Sequence, residues 1–175
     1  MLLDLSELLS GNCRLKEFDA TLSMNEFDSS LGSYQIEEKP DFTIKISTTG
    51  NRKFLVTASG YVVMDIPCGR CLTDVSTKVP FEIERELDFT EDAEETDERL
   101  EEMTYIDGYH LDVDKLVYSE LLLNIPLRVL CSEDCKGLCF KCGADLNKGE
   151  CGCDREQLDP RMSVIQDIFK NFKEV

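Results

Sequence analysis

Eight of the nine cysteines in this 175-residue chain come as four close pairs. Cys68 and Cys71 form a C-x2-C in CGRC, and Cys139 and Cys142 form another in CFKCG. Cys131 and Cys135 are spaced C-x3-C, and Cys151 and Cys153 form a C-x-C in CGC; Cys13 stands apart. A C-x2-C followed by glycine is the pattern of a tight knuckle, in which backbone N–H groups turn toward a thiolate sulfur and the glycine supplies the backbone freedom. Four such pairs suffice for two tetrahedral four-thiolate sites. Soft thiolates in a closed set of four suit zinc best, although iron–sulfur clusters use the same ligands and thiol redox chemistry uses the same groups.

Cys139, Cys142, Cys151 and Cys153 are expected to form the first site, because only eight residues separate the two pairs and so short a loop closes at little entropic cost. Cys68, Cys71, Cys131 and Cys135 are candidates for a second site, tying a strand connection to the segment after a helix. Buried apolar cysteines are the competing reading for Cys68 and Cys71. Between 139 and 153 the neighbours are Lys, Gly, Asp and Glu, which argues against that reading. Arg70, Lys136, Lys141 and Lys148 lie beside the thiols and either offset thiolate charge or are ordinary surface cations.

Catalysis has little support. His110 is the sole histidine and lies far in sequence from the cysteines, no nucleophile–base pair is suggested by spacing, and no phosphate-cradling glycine loop is present. No catalytic or small-molecule-binding residues are therefore assigned, and the chain is expected not to be an enzyme.

The elements that would position these thiols can be read from periodicity. Phe42, Ile44 and Ile46 alternate with polar residues over 41–47, which predicts a half-buried strand. Residues 54–66 are rich in β-formers, and 75–89 alternate again, with Val75, Val79, Phe81 and Ile83 on one face. Pro80 cannot donate to a ladder, so the third strand is expected at a sheet edge. The three make an antiparallel meander, with PCGRCLTD (67–74) as a connection. Val113, Leu116, Val117 and Leu121 predict a helix over 113–124, capped by Asp112 or Asp114 and ended by Pro126. A closing helix over 159–172 has Asp159 as N-cap, Pro160 at N1, and a stripe of Met162, Ile165, Ile168, Phe169 and Phe172. Leu2, Leu5, Leu8 and Leu9 suggest a short helix over 2–9, and residues 10–33 carry no clear pattern.

The fold class is thus α+β: an antiparallel β-meander, a few packed helices and a cysteine-rich metal-binding insertion. Residues 1–125 are expected to form the core with an acidic loop at 84–112, 126–158 the cysteine-rich segment, and 159–175 a helix packing on the core, all within one structural domain.

Composition limits the partners. The net charge is −17, and residues 84–120 alone hold 15 acidic and 3 basic side chains. Such a field repels phosphate backbones and disfavours a bulk electrostatic grip on nucleic acid. The stretch 91–102 reads as a solvated mobile loop, with docking to a basic partner as the alternative. No apolar run approaches the ~20 residues that span a bilayer. The start carries Asp4 and Glu7 within its apolar stretch and has no basic n-region. A cytoplasmic protein without a membrane partner is expected. In that reducing compartment clustered cysteines are more often metal-bound or catalytic than disulfide-linked.

CGRCL before a strand, LLLNIPLRVLCSEDCKGLCFKCGADLN, then CGC and DPRMSVIQDIF together resemble the YceD family, from about residue 40 to 172. Phe140 stands where such proteins usually have proline after the knuckle cysteine. The resemblance implies a role in accumulation of large-subunit ribosomal RNA, with a ribosomal protein, an assembly factor or ribosomal RNA as partner. It supplies no reaction. A thiol-based redox sensor or metal-responsive protein is the alternative, with Cys151 and Cys153 as its reactive groups.

Overall fold

The computed structural model of the chain describes residues 1–11, 13–30, 32–50, 52–89 and 105–154. The expected helix over 159–172 and the acidic stretch 91–102 lie outside the described residues. The chain divides into two compact units: a sheet unit of Met1–Gly69 with Thr73–Cys131, and a cysteine-rich unit of Arg70–Leu72 with Ser132–Val175.

The described elements in chain order are β1 (Leu2–Asp4), α1 (Ser6–Leu9), β2 (Leu15–Ala20), β3 (Glu26–Ser29), β4 (Gly32–Glu38), β5 (Phe42–Gly50), β6 (Lys53–Pro67), β7 (Asp74–Asp88), β8 (Ile106–Asp107), β9 (His110–Asp112) and α2 (Val113–Asn124). The expected meander is β5–β6–β7, and every pairing among these strands is antiparallel. Helices are few: two among the described residues, one of them four residues long. The helix expected over 2–9 is corrected to a strand followed by that single turn. Leu2, Leu3 and Leu5 do not share a helical face, because β1 pairs with β9 in the register Leu3↔Leu111.

β6 organises the sheet unit. β7 pairs with it along its whole length, from Lys53↔Asp88 to Pro67↔Asp74. On its other side β5 covers Lys53–Ala58, and β4 meets Val63 and Met64. β2 extends the sheet beyond β5, and β3 beyond β4. Alternation decides the faces. Phe54, Val56, Ala58, Val62, Met64 and Ile66 of β6 are buried, as are Ile44 and Ile46 of β5 and Val79, Phe81, Ile83 and Leu87 of β7. α2 adds Val113, Leu116, Val117 and Leu121 to the same core. Its N-cap is Asp112, whose carboxylate accepts from the amides of Asp114 and Lys115. Glu120, the one charged residue of α2 that is buried, pairs with Arg85 of β7.

The acidic 84–112 stretch is not uniform among its described residues. Residues 84–88 belong to β7, while Ile106–Asp107 and His110–Asp112 are strands of a small sheet with β1. No helix among the described residues is long and apolar enough to cross a membrane.

Candidate metal centre

The knuckle CFKCG is built by a short hairpin in the cysteine-rich unit. The Cys139 amide donates to the Ala144 carbonyl and the Gly143 amide to the Cys139 carbonyl, each at 2.8 Å. Leu138 and Asp145 form a β-bridge one step out, and the Leu146 amide bonds the Gly137 carbonyl at 2.9 Å. Gly143 closes the turn with φ 72°, a left-handed conformation that glycine adopts without Cβ strain. The amides of Cys142 and Lys141 point at the Cys139 sulfur. Their hydrogen bonds favour the thiolate and lower the Cys139 pKa to about 6.

The Sγ atoms of Cys139, Cys142, Cys151 and Cys153 all lie within 4.8 Å of one another. Cys139 is buried, Cys142 exposed, and Cys151 and Cys153 half-buried. Crowding divides their acidities. Hydrogen bonds from Cys153 to Cys142 and Cys151, then burial and the charge of those neighbours, push its pKa up to about 12. Four sulfurs so close cannot all ionise without a positive charge among them. In a zinc tetrahedron with bonds of about 2.3 Å the sulfurs stand roughly 3.8 Å apart, a spacing that falls within the 4.8 Å limit of this donor set.

Of the second candidate set, Cys68 and Cys131 belong to the sheet unit and Cys71 and Cys135 to the cysteine-rich unit. Cys68, Cys71 and Cys135 are buried and Cys131 is exposed. In the sheet unit the Cys131 amide donates to the Cys68 sulfur at 3.4 Å, and the Gly69 amide bonds the Val129 carbonyl at 2.8 Å. Two cysteine clusters could hold a metal ion. Cys13 is in neither group; its thiol donates to the Leu15 carbonyl at 2.9 Å. His110 is exposed in β9.

Two residues that support the cysteine-rich unit had no assigned role in the sequence. The Asn147 side-chain amide donates to the Cys135 sulfur at 3.5 Å and to the Asp145 carboxylate at 2.9 Å. Its carbonyl accepts the Lys136 amide at 2.8 Å. Asp145 in turn accepts the Asn147 amide, which holds its carboxyl below the usual range. An Asp-x-Asn turn of this kind is readable from ADLN as a local Asx motif, but its contact with sulfur is not. Asn147→Ala is expected to weaken zinc uptake about tenfold or more, measured by competition with a chromogenic chelator.

Of the four cations near the thiols, Arg70 has a defined task. Its guanidinium donates to the carbonyls of Glu133 (3.1 Å) and Cys135 (2.8 Å), not to a sulfur. Lys141 serves Cys139 through its amide, and the Lys148 ammonium lies 3.7 Å from Asp145.

The two C-x2-C turns share a backbone feature. Leu72 follows Cys71 with φ 62°, as Gly143 follows Cys142 with φ 72°. A leucine there carries about 1–2 kcal/mol of left-handed strain. Leu72 is 65% exposed, so little burial is lost on removing its side chain. Leu72→Gly is expected to stabilise by about 0.5–1 kcal/mol after the entropy of glycine is counted. The shift is read from denaturant midpoints.

The model of the family described as large ribosomal RNA subunit accumulation protein YceD matches residues 56–169. The chain belongs to the YceD family. Its matched span includes both C-x2-C turns, β7, α2 and the whole cysteine-rich stretch. The YceD homolog 1 of Arabidopsis thaliana, named as a chloroplastic large ribosomal RNA subunit accumulation protein, is 43% identical over 49 residues. That match covers 28% of this chain and 15% of the plant protein. The Bacillus subtilis protein YlbN is 29% identical over 165 residues, 88% of each chain. The Zea mays YceD homolog 1 is 34% identical over 61 residues, 34% of this chain and 20% of that protein. No solved structure matches the chain.

Proposed function

We propose that this YceD-family protein is a non-enzymatic accessory factor in assembly of the large ribosomal subunit. It acts by binding a ribosomal protein, an assembly factor or ribosomal RNA, and it works in the cytoplasm. The observation that carries this reading is the family match across residues 56–169. Two features of the chain support it. The thiols sit in two sets of four, an arrangement suited to closed structural coordination with no open position for a substrate. The sole histidine, His110, belongs to a strand of the small sheet and to neither set. In this reading each set holds zinc, whose part is to clamp the chain.

Depletion of the protein from cells tests the function. The ratio of large- to small-subunit ribosomal RNA is expected to fall, with loss of mature large subunits in the ribosome profile. The accessible thiols Cys142, Cys151 and Cys153 favour a second reading, a thiol-based redox or metal-responsive sensor. A normal ratio and profile together with a thiol-stress phenotype would put that reading in place of the first.

A further inference from the structure

We infer that the open edge of β7 is a strand-addition site for an extended, lysine- or arginine-bearing segment of a partner protein. The inference rests on the assembly-factor reading only in choosing a protein partner. The backbone itself shows which groups are on offer. The Phe89 amide bonds the Arg52 carbonyl at one end of the β6–β7 pair, and the Cys68 amide bonds the Thr73 carbonyl at the other. The register between them runs without a shift. Hydrogen-bonded pairs in an antiparallel ladder recur every second residue. The odd-numbered residues of β7 therefore bond β6, and the even-numbered ones turn their N–H and C=O groups outward. Pro80 falls on an outward position, where its missing N–H breaks no bond to β6. Among the described residues β7 pairs with β6 alone.

Pro80 divides this edge. Before it, the side chains of the outward positions are engaged: Ser76 donates to Glu37 at 2.7 Å, and the Lys78 ammonium stands 3.6 Å from the centre of the Tyr61 ring. After it come Glu82, Glu84 and Glu86, all exposed and none with an ion-pair partner among the described residues. Their side chains lie on the solvent face, and their backbone donors and acceptors face the open edge. Carboxylates two residues apart along a strand repeat about every 6.8 Å. An added strand places its own side chains directly opposite, within about 5.5 Å between Cβ atoms. Lysine or arginine at every second position of that strand would meet one glutamate each. Charge excludes the other occupants. A nucleic-acid backbone is repelled, and a second copy of this strand would set glutamates near glutamates. Recognition of this kind draws affinity from main-chain hydrogen bonds and selectivity from alternate side chains.

The experiment uses the full chain and a capped nine-residue peptide of alternating lysine and valine. Binding is followed by calorimetry and by amide hydrogen exchange. The expected result is binding that slows exchange at Glu82, Glu84 and Glu86. Methylating alternate peptide nitrogens is expected to abolish it, and Glu84→Pro, which removes an outward N–H and no bond to β6, to weaken it at least tenfold. If Glu84→Pro disturbs the fold, the triple change Glu82→Lys, Glu84→Lys and Glu86→Lys serves instead. It is expected to shift preference to a glutamate–valine peptide. Binding that survives both peptide methylation and Glu84→Pro would be diffuse charge attraction and would overturn the proposal. So would absence of binding. Protection of the three amides in the free monomer, or only on dimerisation, would assign the edge to the chain itself or to a second copy. Failure of the peptide to bind would leave the ribosomal RNA ratio on depletion unaffected, so the two readings fail separately.

Discussion

Chelation is expected to unfold the cysteine-rich unit while the sheet unit stays folded. The reason lies in what each unit buries. The sheet unit has an apolar core with Phe27, Phe54, Ile44, Ile46, Met64 and Leu111 all nearly inaccessible. Among residues 132–154, by contrast, the buried apolar side chains are Cys135, Cys139 and Leu146. A segment with so little to bury cannot offset the entropy of ordering its chain, roughly 1–2 kcal/mol per residue for the backbone alone. Binding of structural zinc to small thiolate sites contributes about 10–16 kcal/mol near neutral pH, and there it is the folding free energy. On addition of a strong chelator, amides of Cys139, Gly143 and Leu146 are expected to lose exchange protection. Those of β6 are expected to keep theirs. Loss of both together, or of neither, would contradict the assignment.

Phe81→Ala is expected to cost the sheet unit about 3–5 kcal/mol, the range for removing a buried phenylalanine. Phe81 is 3% exposed and lies directly opposite Gly60 in the β6–β7 register. Its ring fills the space a side chain on residue 60 would take: a Cβ there would stand 2.6 Å from the ring edge. The ring also meets Phe42 edge-on, with centroids 5.1 Å apart. Truncation therefore leaves a void over a glycine, where the backbone has no side chain to move in. The urea midpoint should fall with little change in slope. A cost under about 1 kcal/mol would mean that the neighbours collapse into the space. Gly60→Val, which forces a side chain into the same contact from the other strand, is expected to destabilise by about 1–3 kcal/mol.

The parts of the fold that were legible are those in which burial is one-sided. Phe42, Ile44 and Ile46 alternate because one face of β5 is covered, and Pro80 marks the side of β7 that has no strand partner among the described residues. α2 was bounded by chemistry, with Asp112 at its start and Pro126 after its end. β2 was not legible. It lies at the sheet margin, Leu15 is 53% exposed, and its charged residues do not fall into a period of two. Residues 2–9 misled because Leu2, Leu5, Leu8 and Leu9 repeat at helical spacing, while β1 pairs with β9, a partner over a hundred residues away in sequence. Cysteine spacing displayed four close pairs, but how pairs group is a matter of the whole fold, which spacing alone does not carry. What spacing could not convey is support from other residues: the Asn147 amide on a sulfur, or an arginine spent on two carbonyls.

Zinc and iron content of protein purified from cells without chelator or added metal is the most direct test. Two zinc ions per chain are expected, falling to one when Cys68 and Cys71 are replaced by Ser, with thiols that resist alkylation until a chelator is added. Protein that is folded yet holds neither zinc nor iron, with Cys142, Cys151 and Cys153 reacting at once, would contradict that expectation.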